Sequence, residues 1–189
     1  MMKRLFYTLA VLVLLICAIV TMNACGDAEV TTTEAVTTAP ITTEAPIPEG
    51  YTEYSDGSVA FAYPENFQKQ DGSTVIIQDA TTGNNITVVY EAKNPYYATL
   101  DLATYNSEMK PAFESMGLTI TNPSVKQTKN DAGVAITKIS HTATASGVSM
   151  KQTMLITTIG NRTYTVTVTE VKSDSTLVNN VFNTLKAAK

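Results

Sequence analysis

"GNRTYTVTVTEVKSDSTLVNNVFNTLKA", residues 160–187, sets two different periodicities side by side. In its first half Tyr164, Val166 and Val168 alternate with Thr163, Thr165, Thr167 and Thr169. A period of two places these sets on opposite faces of a strand, so the spacing predicts one buried apolar face and threonines turned to solvent. After Ser173-Asp174 the period changes, and Leu177, Val178, Val181, Phe182 and Leu185 recur at helical spacing from about 174 to 187. That stripe predicts an amphipathic helix. A half-buried strand followed by a one-sided helix fits a layered domain in which helices cover a sheet.

Working back toward the N-terminus, the same reasoning finds further strands. "VAFAY" (59–63) alternates with Val59, Phe61 and Tyr63 inward and stops at Pro64; "STVIIQD" and "NITVVYE" form a hairpin about Thr82-Gly83-Asn84. Three long strands follow at roughly 118–129, 133–145 and 148–159, joined through Asn130-Asp131-Ala132-Gly133 and Ser146-Gly147. Such short connections require antiparallel pairing. A second helix is expected from about 100 to 116, where Leu102, Tyr105, Met109, Phe113 and Met116 are spaced by three and four; Thr99 is its expected cap and Gly117 its end. Pro111 removes a backbone donor inside that pattern, which predicts a kink or break. The fold class is therefore α+β, an antiparallel sheet covered by helices.

The order strand, hairpin, helix, long antiparallel strands and closing helix, opening on "VAFAYPENF" and ending on the stretch quoted first, resembles the Mog1/PsbP-like α/β/α sandwich over essentially all of residues 51–189. The resemblance implies an accessory or binding role without catalysis. Its motifs are patterns of core packing, so they carry over fold and no functional residue.

The N-terminus has a different character. Lys3 and Arg4 precede eighteen uncharged residues, "LFYTLAVLVLLICAIVTM", and the positive end is expected to stay inside while the rest is exported. The order of basic, apolar and small residues before Cys25, flanked by Ala24 and Gly26, resembles a bacterial lipoprotein signal peptide. That resemblance implies cleavage after residue 24, diacylglycerol on the Cys25 sulfur and a lipid anchor on the extracytoplasmic face of the cell membrane. Met22 stands where the pattern usually has leucine, and an uncleaved signal anchor is the alternative, since eighteen uncharged residues are just enough to span a bilayer as a helix. Residues 25–50 follow as a Thr/Pro/Glu-rich linker in which Thr-Thr-Glu-Ala occurs twice, at 32–35 and 42–45. Its composition predicts a disordered, extended spacer whose threonines resemble those of O-glycosylated stalks.

Charge narrows the classes of partner. The linker carries Asp27, Glu29, Glu34, Glu44 and Glu49 with no base, while residues 51–189 carry twelve acids and eleven bases, of which Arg162 is the one arginine. A nearly neutral domain has no field for nucleic acid, and that class is set aside. Both cysteines, Cys17 and Cys25, precede the domain, which must hold together without disulfides or thiolate metal sites.

Chemistry-bearing motifs are few. His141, the one histidine, falls on an expected strand among Ser, Thr and Ala and reads as a partly exposed strand residue. Asp71, Asp79 and Asp131 sit at turns, where their side chains satisfy local backbone donors. No nucleophile elbow, P-loop, dinucleotide fingerprint or calcium loop is present in the sequence, so no catalytic residue, metal or cofactor is assigned. The candidate recognition loop is "NPYYATL" (94–100), because adjacent Tyr96 and Tyr97 cannot both enter one core. The expected function is a membrane-anchored, non-catalytic binding or accessory module for an envelope protein or small ligand. The alternatives are an extracytoplasmic enzyme with a dispersed site, or a structural spacer at the surface.

Overall fold

The computed structural model describes residues 46–72 and 74–188; the signal-like segment, Cys25 and the linker as far as residue 45 lie outside the described residues. The fold is α+β, with two antiparallel sheets. The small sheet has the order β1 (Tyr51–Ser55), β2 (Val59–Pro64), β10 (Lys186–Ala187). The large one has the order β3 (Gln68–Gln70), β4 (Val75–Gln78), β5 (Asn85–Ala92), β9 (Arg162–Glu170), β8 (Val148–Ile159), β7 (Ala135–Ala145), β6 (Thr119–Lys129).

Turn chemistry sets the registers. Asp79 organises the β4–β5 hairpin: its backbone N–H donates to the Asn84 carbonyl (2.9 Å), and its carboxylate accepts from the Thr81 N–H (2.8 Å) and the Thr82 hydroxyl (2.7 Å). Gly83 takes φ 77° there, a left-handed conformation that side chains disfavour. Asn130 joins the β6–β7 turn to the end of the closing helix, donating to the carbonyls of Phe182 (2.9 Å) and Leu185 (2.6 Å) and accepting from the Val134 N–H (2.9 Å). Asn84 does the same for the chain leaving β9, through the N–H groups of Val171 and Lys172 (both 2.9 Å).

One side of the large sheet holds the main core. Ile77, Ile86, Val88, Tyr164, Val166, Val168 and Leu155 pack against Val59 and Phe61 of the small sheet and against Leu177, Val178, Val181 and Leu185. Each such side chain contributes about 1.5–3 kcal/mol on burial. The helix that brings the last four, α3 (Leu177–Thr184), is shorter than its apolar stripe suggests. Asp174 starts it by accepting from the N–H groups of Thr176 (2.9 Å) and Leu177 (3.1 Å). It ends at Thr184, because Lys186 and Ala187 leave the helix to pair with Ala60 and Val59 as β10. That pairing is non-local and invisible to periodicity.

The first helical region is broken. Pro95–Thr99 is a 3-10 turn, followed by α1 (Leu102–Thr104), a π turn (Tyr105–Met109) and α2 (Lys110–Ser115). The cap is Asp101, whose side chain accepts from the Thr104 N–H (2.8 Å), and not Thr99, which donates to the Tyr96 carbonyl (3.2 Å). The wider turn lies just ahead of Pro111, where the missing donor interrupts the regular ladder. Gly117 closes the region at φ 85°.

Two further readings of the sequence are corrected. β9 is the middle strand of seven, so its threonine face is buried as well: Thr163, Thr165, Thr167 and Thr169 are 8% exposed or less. On β2, Ala60 and Ala62 are as buried as Val59 and Phe61, while Tyr63 is partly exposed, since β2 is the middle strand of the small sheet.

Candidate functional site

Strand alternation and the register assign every residue of the large sheet to a face. On the side opposite the main core lie Gln127, Thr137, Ile139, His141, Gln152, Met154 and the β9 threonines. The first helical region packs there. Gln127 donates to the carbonyls of Tyr97 and Leu100 (both 3.0 Å), and Thr137 donates to that of Tyr97 (2.7 Å).

His141 is inside this layer and not at the surface, with 2% of its area exposed. The Tyr105 hydroxyl donates to Nδ1 (2.9 Å), Nε2–H donates to Oε1 of Gln152 (3.1 Å), and the Gln152 amide donates to the Thr169 hydroxyl (3.4 Å). This is the one assignment that satisfies every member with a neutral imidazole. Phe113 packs on the ring at 5.3 Å, and burial holds the imidazole below its usual pKa against the opposing pull of Gln152. The sequence missed the burial because the covering Tyr105 is 36 residues away. The chain ends beside three buried oxygens without a hydrogen-bond partner, Asn85 Oδ1, Thr87 Oγ1 and Thr167 Oγ1. As a neutral group shut in the core, His141 orders the layer and is poorly placed to take a proton from solvent.

The tyrosine loop divides its two rings. Tyr97 is buried and Tyr96 is partly exposed, and they meet edge to face at 5.4 Å. The Tyr96 hydroxyl donates to Glu108 (3.0 Å), and partial burial with that carboxylate pushes its pKa up to about 12. Cys25 lies outside the described residues.

The main-core side of the large sheet has a second half with a different surface. There strands β6, β7 and β8 place Ser124, Lys126, Lys138, Ser140, Thr142 and Lys151 on one face, with Thr153 buried among them and Phe182 of α3 reaching Lys138. Lys126 and Lys138 are direct cross-strand partners, and Ser140 pairs with both Ser124 and Thr153. The Ser140 and Thr153 hydroxyls are 3.2 Å apart. Lys151 meets the buried carboxylate of Glu170 at 3.6 Å. Lys126 and Lys138 have no carboxylate partner among the described residues. Lys138 sits one strand in from the edge, partly buried, with its ammonium 5.2 Å from the centre of the Phe182 ring. Burial lowers its pKa first, and Lys151 and Lys126 lower it further. The pairing of Lys126 with Lys138 is set from the β6–β7 turn, and a β-bulge between Thr121 and Ser124 shifts the register only beyond it, toward the start of β6.

This hydroxyl-floored lysine stripe was not singled out from the sequence. Its signal was present: the β6–β7 hairpin turns at Asn130–Gly133, and positions equidistant from that turn must face each other.

Among the described residues no cluster of His, Asp and Glu is arranged to hold a metal, and no helix is long and apolar enough to cross a membrane. No protein-family model and no curated protein matches the chain. Distantly similar solved structures include two from bacteria. A crystal structure from Bacteroides thetaiotaomicron VPI-5482 is 15% identical with a TM-score of 0.47, over 69% of this chain and 45% of that one, so the chain spans less than half of its length. LpqN, involved in cell envelope biogenesis of Mycobacterium tuberculosis, is 10% identical with a TM-score of 0.38, over 74% of this chain and 91% of that one. Likeness at this level carries no functional argument, and the site stands on its own geometry.

Proposed function

We propose that this chain is an exported bacterial lipoprotein whose α+β domain, of Mog1/PsbP-like type, is a non-catalytic binding module at the extracytoplasmic face of the membrane. The observation that carries the binding reading is the bare half of the large sheet. One half of the face is packed under α3, and the other carries hydroxyls and two lysines without acid partners, an unbalanced positive charge that favours a ligand of opposite charge. His141, the side chain best suited to proton transfer near neutrality, is withdrawn into the core, which favours binding over catalysis.

The anchor rests on the sequence from Lys3 to Cys25, with the Thr/Pro/Glu-rich stretch as tether. Metabolic labelling with a clickable fatty acid tests it. The intact chain is expected to incorporate label and fractionate with membranes, and Cys25→Ala to lose both. Label retained by Cys25→Ala would sink the assignment of the anchor to this sulfur.

A further inference from the structure

We propose that the stripe running from Lys126 and Lys138 to Lys151 binds a soluble or polymeric ligand, other than nucleic acid, that carries successive phosphate groups. The proposal rests on the binding-module reading above and supplies its ligand chemistry.

Three observations lead to phosphate. First, the cations are lysines: the arginine of the domain, Arg162, lies elsewhere, stacked over the Tyr90 ring at 4.3 Å. An ammonium is a compact point charge that meets phosphate oxygens without the two-pronged geometry of a guanidinium. Second, the partly exposed surface between the lysines carries the hydroxyls of Ser124, Ser140 and Thr142, with Ser140 backed by the buried Thr153 hydroxyl at 3.2 Å. A hydroxyl engaged with one neighbour keeps further hydrogen-bonding capacity for a ligand oxygen. Third, the charge is unbalanced at one end. Glu170 offsets Lys151, but neither Lys126 nor Lys138 has an acid in ion-pair range among the described residues. A lysine on edge strand β6 would by itself be explained as protection against strand pairing. Lys138 escapes that explanation, because it lies on β7, partly buried, with the like charge of Lys126 directly opposite.

Geometry sets the size. Lys126 and Lys138 are directly opposed, about 5 Å apart at the backbone, and suit one phosphate between them. Lys151 is opposite Thr142, four residues along β7 from Lys138, or about 13 Å. A single small anion cannot use both ends, but a chain of linked phosphates can lie along the hydroxyls. A bilayer fits less well. The exposed large apolar side chains, Ile47, Tyr90, Leu102, Val148 and Val171, are not part of this stripe, so it has no group to insert among acyl chains.

The test is calorimetric titration of the detergent-solubilised full chain with inorganic tripolyphosphate, with orthophosphate and with vesicles of phosphatidylcholine and phosphatidylglycerol. Tripolyphosphate is expected to bind, more weakly as salt is raised, and orthophosphate to bind less tightly. Lys126→Gln with Lys138→Gln is expected to weaken tripolyphosphate about tenfold. Lys93→Gln, an exposed lysine beyond the end of β5, is expected to leave it unchanged, and Lys126→Arg with Lys138→Arg to retain it. Absence of tripolyphosphate binding, equal losses in the glutamine and Lys93 variants, or binding to vesicles alone would each overturn the proposal. None of these outcomes bears on fatty-acid labelling at Cys25, so the two readings fail separately.

Discussion

The two halves of one sheet face use the same backbone for opposite purposes. Under α3 and the small sheet, Ile77, Ile86, Val88, Leu155, Val166 and Val168 make a dry interior with Leu177 and Val181. Further along, at the margin of α3, the positions that continue the face on β6 and β7 are Ser124, Lys126, Lys138 and Ser140, with Thr153 of β8 buried beside them. The first half buries large apolar side chains, and the second buries few.

Variants sharpen the contrast in order of effect. In the dry half, Leu177→Ala and Val181→Ala remove side chains with no exposed area, and Leu177→Ala is expected to cost about 2–5 kcal/mol in denaturant unfolding. A cost below about 1 kcal/mol would mean that α3 is not a required cover. Next comes Asn130→Ala, at the staple between the β6–β7 turn and the end of α3. It leaves the carbonyls of Phe182 and Leu185 and the Val134 N–H without their partner and is expected to cost about 1–3 kcal/mol.

His141 gives a smaller, pH-dependent effect. Its folded pKa is below the ordinary 6.5, so the unfolded chain binds the proton more readily. Its contribution to stability is present above pH 6.5 and is lost as pH falls from there toward the depressed folded pKa. Thermal melts at a series of pH values should show this loss in the parent chain and a flatter profile in His141→Gln. Identical profiles would place the histidine in contact with solvent.

In the bare half, Lys138→Met is expected to change stability by no more than about 0.5 kcal/mol, because relief from two neighbouring ammonium groups offsets the lost contact with Phe182. A large destabilisation would show that the stripe belongs to the scaffold after all. The smallest effect is expected from Thr167→Val, which removes a buried hydroxyl that has no partner and should leave stability unchanged or raise it by up to about 1 kcal/mol.

The sequence made some of this legible and hid the rest for identifiable reasons. The strands from Thr119 to Glu170 were readable because turns such as Asn130–Gly133 and Ser146–Gly147 bracket alternating runs. The burial of the β9 threonines was not, since a β-branched hydroxyl side chain suits a solvated face and a covered central strand equally. The end of α3 was hidden because Lys186 pairs with Ala60, more than a hundred residues earlier in the chain. His141 was misplaced for a similar reason, its cover coming from Tyr105 and Phe113 in a helical region whose breaks were only partly foreseen. Of the site, Tyr96 and Tyr97 were correctly separated into different environments in principle, with the structure deciding which is buried. The lysine stripe needed the register, and the bulge before Ser124 makes that register harder to count from the far end of β6.

The account turns on the bare half of the sheet being the working surface. The most direct measurement is an amide chemical-shift map of the isotope-labelled full chain as tripolyphosphate is added. Shifts confined to residues 124–126, 138–142 and 151–153 are the predicted result. Shifts centred on Tyr90 and Arg162 or on Tyr96, or a spectrum that does not change, would contradict it.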